Sequence, residues 1–354
     1  MKFSLIIPTY NEKENVLKLV SQIKEQFQKE QIDGEMIFVD DNSPDGTGEV
    51  LERLKKDNQN LEVIHREGKL GLSSAVTDGF KIAKGDIVGV MDADLSHPAQ
   101  KIGEMYHVVK SGADLVIGSR YVKGGRIEGW NLYRKILSKG ATLLARVFVN
   151  TKDPMSGFFM IKREFVMSKE INPKGFKILL ELLIKLNCRK IVEVPITFTN
   201  RTVGKSKAGA KEIIYYLQNL IKYLPYKKEV ILQFFKFAFV GLIGTIVNVS
   251  IMYTLTEYLG VYYVISAFFA FCIAVTVNFI FNKVWTFREK IQDRIIKEYN
   301  IFFLVSLSAL SVNLLFLYIF TEFLGIYYII SQIIAIGISL MINFIGNKIW
   351  TFQK

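Results

Sequence analysis

The stretch "VGVMDADLSHP", Val88 to Pro98, ends an apolar run on two carboxylates one residue apart, Asp92 and Asp94. Such a pair suits a hard divalent cation, because Mg²⁺ or Mn²⁺ prefers oxygen ligands and shares them readily with substrate phosphates. Polar sets also follow other apolar runs: "PTYNE" after the first, "DDNSPDGT" after the second and "GSRY" after a later one. No G-x-G-x-x-G follows the first run and no G-x-x-x-x-G-K-[ST] occurs anywhere, so dinucleotide redox chemistry and P-loop hydrolysis lose their main support. His65, His97 and His107 stand apart from one another and read as structural rather than as proton-transfer groups.

Those polar tips need strands to hold them. Short β-type runs occur at "FSLIIPTY", "EMIFVDD", "LEVIHR", "DIVGVMDAD" and "DLVIGSR", most of them separated by amphipathic helical stretches. This alternation predicts an α/β domain with a mostly parallel sheet and helices on both faces, whose ligand site forms beyond the carboxyl ends of the strands. With side chains alternating along a strand, Asp92 and Asp94 point the same way and Ala93 stays small between them. In "DNSPDG", Asp45 and Gly46 supply an ordinary turn.

The rest of the chain is of another kind. Half of the 354 residues are apolar, and from Gln233 onward they gather into four long runs, about 234 to 255, 262 to 281, 300 to 320 and 327 to 346. Each is long enough to cross a bilayer. The loop between the second and third carries Lys283, Arg288, Lys290, Arg294 and Lys297, whereas "TEYLGVYY" and "TEFLGIYY" carry no basic residue. The positive-inside tendency then puts both termini and the central loop in the cytosol; with a strand at the start of the chain and no signal peptide before it, the first domain is expected to be cytosolic. "NKVWTF" recurs as "NKIWTF" and "YLGVYYVIS" as "FLGIYYIIS", displaced by 65 positions (Trp285 to Trp350), so the segment is a duplicated helical hairpin. Asn248, Asn278, Asn313 and Asn343 within the runs read as interhelical packing groups. The formal net charge of +12 suits anionic lipid or phosphorylated substrates, although a nucleic-acid binder could show the same balance; with the four long apolar runs, nucleic acid is not expected as a partner. Cys188 and Cys272 have neither disulfide nor zinc spacing.

Taken in order, "IIPTYNE", "DDNSPDGT", "MDADLSHP", "GSRYVKGG", "DPMSGFF" and "RTVGKSK" resemble glycosyltransferase family 2, specifically the dolichol-phosphate mannose synthase group, over the first two-thirds of the chain. The four-run segment resembles the GtrA-type membrane domain. The resemblance implies a GT-A fold at 1–209, an interface helix or linker at 210–229 and a four-span domain at 230–354. It implies transfer of mannose from GDP-mannose to dolichyl or another polyprenyl phosphate with inversion, in a membrane protein whose catalytic domain faces the cytosol.

The resemblance also implies roles. Pro8, Tyr10 and Glu12 hold the nucleotide's base and ribose, and Asp41 accepts from a ring nitrogen of guanine or uracil with Val39 packed nearby. Asp92 and Asp94 carry Mg²⁺ or Mn²⁺ and through it the diphosphate; Ser96 stands where many relatives have Gln, and joins the metal through a bridging water. Arg120, Arg201 and Lys207 form a basic set for two anionic substrates, with "NRTVGKSK" as a lid. Val203 stands where some relatives have a second Arg.

The acceptor side begins at "WNLYRKILSKGATLLARVFVN", Trp130 to Asn150, a basic amphipathic helix that suits the headgroup plane as well as docking on a sheet. Arg134 and Ser138, four apart, share a face and can grip one phosphate. A second helix from Ala210 is expected to end at Pro225. A phosphate monoester, with a second pKa of about 6, is already anionic and attacks the anomeric carbon without a general base. Two alternatives stay open on the residues alone: a polyprenyl-phosphate glucosyltransferase using UDP-glucose, and a lipid-linked sugar flippase with an accessory transferase domain. A processive synthase is disfavoured because no "RW" occurs.

Overall fold

A computed structural model describes residues 1–169, 171, 178–200, 210–289 and 294–352, with backbone alone at 210–214. The chain divides into two compact units, Met1–Tyr226 and Lys227–Lys354.

The first unit runs β1 (Phe3–Thr9), α1 (Lys13–Lys29), β2 (Gly34–Asp40), α2 (Thr47–Lys56), β3 (Leu61–His65), α3 (Leu72–Ile82), β4 (Ile87–Val90), α4 (Ile102–Lys110), β5 (Leu115–Ser119), β6 (Arg126–Ile127), α5 (Leu132–Arg146), β7 (Phe159–Lys162), α6 (Arg163–Met167), α7 (Ile178–Lys185), β8 (Ile191–Pro195), β9 (Thr197–Phe198) and α8 (Ala210–Tyr223). Seven strands form one sheet in the order β3-β2-β1-β4-β7-β5-β8, and β6 pairs with β9 beside it. All pairings in the large sheet are parallel except those of β7, which runs antiparallel between β4 and β5. This is the mostly parallel GT-A arrangement expected, with four strands, β6 to β9, beyond the five read from apolar runs.

Side-chain alternation assigns the two faces of the sheet. Phe3, Leu5 and Ile7 of β1, with Met36 and Phe38 of β2, pack against Val16, Leu19, Val20, Ile23 and Phe27 of α1 and against α4. Ile6, Ile37 and Val39 point the other way, onto Ala75, Val76 and Phe80 of α3 and onto α7. Spacing of three and four along α1 is what aims its apolar stripe at the sheet. Burying such a side chain contributes about 1.5 to 3 kcal/mol.

The chain moves from β1 to β2 to β3 in one direction and then returns to place β4 on the other side of β1. The end of β1 beside β4 is therefore a topological switch point, where open sheets of this class form ligand crevices. Pro8 marks the opening: β1 pairs with β4 only as far as Ile6 and Val90, so a residue without an N–H is tolerated two positions later.

The second unit is two helical hairpins. Helices α9 (Lys228–Tyr253) and α10 (Tyr263–Phe281) form the first, α11 (Ile295–Tyr318) and α12 (Tyr328–Gly346) the second, and each helix continues into a five-residue π-helical turn. Among the described residues, four helices are long and apolar enough to cross a membrane. The duplication is visible in the packing. Repeat mates Phe287 and Phe352 stack on each other with ring centroids 4.5 Å apart. Lys283, buried at the end of the first hairpin, pairs with Glu298 and has Glu289 at 3.5 Å; its repeat mate Lys348 donates to Gln233, the repeat mate of Glu298. Of the asparagines, Asn313 accepts from Gln332 across α11 and α12 at 3.4 Å. Asn343 instead bonds Asn347 within its own helix. Asn278 lies against Gly244, where an added Cβ would meet its amide at 2.3 Å, so the glycine lets α9 close on α10.

Because the second repeat functions with an amide where the first has a carboxylate, Glu298→Gln should be tolerated better than Glu298→Leu. The leucine variant deprives the buried Lys283 of its nearest acceptor and should destabilise by about 3 kcal/mol. Thermal unfolding in detergent reads the difference, and equal midpoints for Glu298→Leu and wild type would contradict this account of the pair.

Candidate active site

The carboxylates do not arise as strand alternation predicts. β4 stops at Val90, and Met91 makes the last ladder bond, donating to Ile6 O at 3.1 Å. Asp92 and Asp94 sit beyond it in a bend that Leu95 closes in the left-handed region, φ 59°. A leucine held there is strained by of order 1–3 kcal/mol, a cost that tends to collect at functional sites. The correction changes the environment of each carboxylate. Asp94 is buried, and its Oδ1 accepts from Ser96 N at 3.1 Å and Ser96 Oγ at 2.5 Å. Asp92 is about a quarter exposed, and its Oδ2 lies 3.2 Å from His97 Nε2. Gly157 makes room for it, since a Cβ there would meet Asp92 Oδ2 at 2.7 Å.

This donor set fits a hard divalent ion: two carboxylates and a hydroxyl, all oxygen, just beyond the end of β4. Among the described residues no three His, Cys, Asp or Glu side chains form a cage; a divalent ion held by Asp92 and Asp94 would take its remaining ligands from water and substrate phosphates. Ser96 serves Asp94 directly through its hydroxyl.

Across the switch point lie the residues expected at the nucleotide. Tyr10 follows β1, with Lys69 Nζ 4.0 Å from its ring centroid. Glu12 caps the start of α1; its backbone N–H donates to Thr47 Oγ1 and its carboxylate accepts from Asn15. Asp45 accepts from Thr47 and from Lys13 N, and Gly46 takes φ 88° before α2, so both do serve a turn. Burial pushes the Asp45 carboxyl up, but these hydrogen bonds outweigh it and hold it below the usual range. Asp41 is buried and already engaged: Arg66 Nη1 donates to its Oδ1 at 2.5 Å and Gly71 N to its Oδ2 at 2.9 Å. Val39 is wholly buried in the apolar layer on the α3 face. Arg66 and Lys69 escaped the sequence reading because they lie 25 and more positions from their partners.

Arg120 differs most from expectation. It is buried, and its Nε and Nη2 grip Asp153 Oδ2 and Oδ1 at 2.8 and 2.7 Å, while Asp153 Oδ2 also takes the Arg120 backbone N–H. Burial pulls the guanidinium pKa down, but the charge and hydrogen bonds of Asp153 dominate and leave it above the ordinary arginine value. Glu193 fixes the Asp153 loop in turn, accepting from the backbone of Lys152 and Asp153. The rings of Tyr121, Trp130 and Phe198 surround the guanidinium within 6 Å.

That aromatic cluster joins Arg120 to the acceptor candidates. Helix α5 is shorter than the 130–150 expected, because Asn131 caps it by accepting from Arg134 N and because the chain turns after Arg146. Arg134 stacks over Trp130 at 4.1 Å and donates to Asn200; Ser138 Oγ lies 3.0 Å from Tyr121 OH. Leu132, Tyr133 and Ile136 are each at least 60 % exposed, whereas Ala145 near the other end is buried with Tyr216, Leu220 and Tyr223 of α8. Helix α8 stops at Tyr223, two residues before Pro225. Arg201, Lys207 and the rest of the expected lid after Asn200 lie outside the described residues.

Comparison with known proteins supplies the remaining findings. Residues 4–168 match the model of Glycosyl transferase family 2, and residues 236–352 that of the GtrA/DPMS transmembrane domain. The dolichol-phosphate mannosyltransferase of Pyrococcus furiosus is 41% identical over 352 residues, covering 98% of each chain. Proteins of the same name from Saccharomyces cerevisiae and Mycosarcoma maydis are 39% and 38% identical, over 64% and 62% of this chain and 88% and 78% of theirs. Among solved structures, glucosyl-3-phosphoglycerate synthase from Mycobacterium tuberculosis in complex with Mn²⁺ and uridine-diphosphate-glucose aligns with a TM-score of 0.47 at 19% identity, over 64% of this chain and 78% of that one.

The Arg120–Asp153 pair has a measurable signature. Asp153→Ala strands a buried guanidinium and should destabilise the protein by about 3–5 kcal/mol, whereas a double replacement by apolar residues, Arg120→Met with Asp153→Leu, should recover much of that loss. Thermal melts of the three proteins decide it, and an unchanged midpoint for Asp153→Ala would contradict the assignment.

Proposed function

The chain belongs to the dolichol-phosphate mannosyltransferases of glycosyltransferase family 2, and from that premise we propose that it transfers mannose from GDP-mannose to dolichyl or another polyprenyl phosphate, with inversion at the anomeric carbon. It is a membrane protein. The observation that carries the reading is the pair of unlike carboxylates, Asp94 buried and Asp92 open, at the switch-point end of β4, on a chain that matches a mannosyltransferase from end to end.

In this reading Tyr10 and Glu12 border the nucleoside together with Pro8, and Asp41, already fixed by Arg66, offers its remaining lone pairs to the base. Asp92 and Asp94 hold Mg²⁺ or Mn²⁺, with Ser96 keeping the Asp94 carboxylate in place. The ion, when bound, neutralises charge on the departing diphosphate, the kind of electrostatic help that usually contributes most to group transfer. Arg134 and Ser138 grip the acceptor phosphate, and Arg201 and Lys207 add positive charge where the two anionic substrates meet. Arg120, committed to Asp153, acts by holding the aromatic cluster under Arg134 and by adding fixed positive charge. The acceptor oxygen is anionic at neutral pH, so no protein base is assigned and the residues' work is alignment. Exposed Leu132, Tyr133 and Ile136 on a basic helix support contact of α5 with the lipid surface that carries the acceptor. The basic residues between the second and third spans support a cytosolic face for the catalytic unit and both termini.

A donor panel tests this directly. Purified protein given polyprenyl phosphate should form lipid-linked mannose from GDP-mannose only with Mg²⁺ or Mn²⁺, and Asp94→Ala should lower turnover by at least about a hundredfold, the scale of losing one main electrostatic contact, while still inserting into membranes. Product from UDP-glucose alone would overturn the donor assignment, and near-normal turnover by Asp94→Ala would remove the metal role.

A further inference from the structure

We propose that His97 is a positioning residue for Asp92, fixing through its Nε2–H the orientation in which that carboxylate meets the divalent ion. The inference rests on the reading of Asp92 as a metal carboxylate and extends it to a histidine that the sequence alone assigns no part in the site.

The geometry is specific. The His97 side chain is 1 % exposed, and Nε2 lies 3.2 Å from Asp92 Oδ2. The ring is wedged between Phe158, at 5.5 Å, and Phe198, at 5.1 Å with the planes nearly perpendicular. A lone pair set against a carboxylate oxygen would repel it, so the tautomer with hydrogen on Nε2 is the one this contact selects. That leaves Nδ1 buried with no hydrogen-bond partner among the described residues. A buried polar atom left unpaired costs about 1–3 kcal/mol, so a ring that served packing alone would be better built from carbon. The polar contact that His97 does make is the one on Asp92.

Two neighbours support the same role. Gly157 has no Cβ where Asp92 Oδ2 sits, and the next residue, Phe158, packs its ring against His97 at a tilt, so one short segment both admits the carboxylate and braces its partner. On the other side Phe198 packs on Trp130 at 5.5 Å, and Trp130 carries Arg134. His97 thus ties the donor-side carboxylate to the platform under the acceptor-side arginine. Outer groups of this kind commonly set metal affinity without touching the metal.

The test measures metal binding apart from turnover. Full-length wild type, His97→Phe and His97→Gln are titrated with Mn²⁺ in the presence of GDP, with free Mn²⁺ read by its EPR signal. His97→Phe keeps the ring and loses the donor, so Mn²⁺ affinity should fall by about tenfold or more. His97→Gln can return an N–H to Asp92 and should stay within about threefold of wild type. Unchanged affinity in His97→Phe overturns the inference, as do equal losses in both variants, which would mark a packing role. If the phenylalanine variant does not fold, His97→Asn, too short to reach Asp92, replaces it, and equal affinities for Asn and Gln overturn the inference. Wild type that binds no Mn²⁺ overturns the metal reading and this inference with it, whereas wild-type binding with no effect of His97→Phe overturns this inference alone.

Discussion

Holding two carboxylates one residue apart at the end of a buried strand is the constraint from which the catalytic unit follows. Carboxylates leaving water must be met by donors or counter-charge. The protein meets the two in different ways. Asp94 is sunk below the surface and tied to Ser96 in a tight turn that forces Leu95 into a left-handed conformation. Asp92 stays partly in solvent and leans on His97, in space that Gly157 leaves open. The strand must end before them for this to happen, which is why β4 is only four residues long.

A second buried charge stands behind the first. Arg120 and Asp153 satisfy each other, and three aromatic rings close around the guanidinium. Breaking such a pair costs more than forming it gains, so its value here lies in fixing positions: Trp130 beneath Arg134, and Tyr121 against Ser138. The membrane unit solves a related problem differently. Two lysines related by the internal repeat, Lys283 buried and Lys348 half-buried, are met once by carboxylates and once by an amide, around a core of stacked phenylalanines.

Much of this was legible in the sequence for physical reasons. Parallel strands buried on both faces read as continuous apolar runs, so β1 to β5 stood out, and spans long enough for a bilayer announce themselves by length. β7 did not, because "FMIK" is four residues inserted antiparallel between β4 and β5, and β6 and β9, two residues each, have no periodicity to detect. At the candidate site, residue types at the end of one apolar run singled out Asp92 and Asp94, while Tyr10 and Asp41 were named by the resemblance. Pairings across the fold did not show: nothing local links Asp41 to Arg66, Arg120 to Asp153 or His97 to the rings of Phe158 and Phe198. The expectation that alternation aims Asp92 and Asp94 alike rested on a strand that ends before them, at Val90.

The account's central claim is that a divalent ion at the end of β4 joins the donor's diphosphate to Asp92 and Asp94. A structure of the full chain with GDP-mannose and Mn²⁺, recorded with anomalous scattering at the manganese edge, tests it most directly. The account predicts a single manganese peak bridging both phosphates and the two carboxylates, with Ser96 still on Asp94 and His97 still on Asp92. A diphosphate bound away from the end of β4, or bound there with no metal beside it, would contradict it.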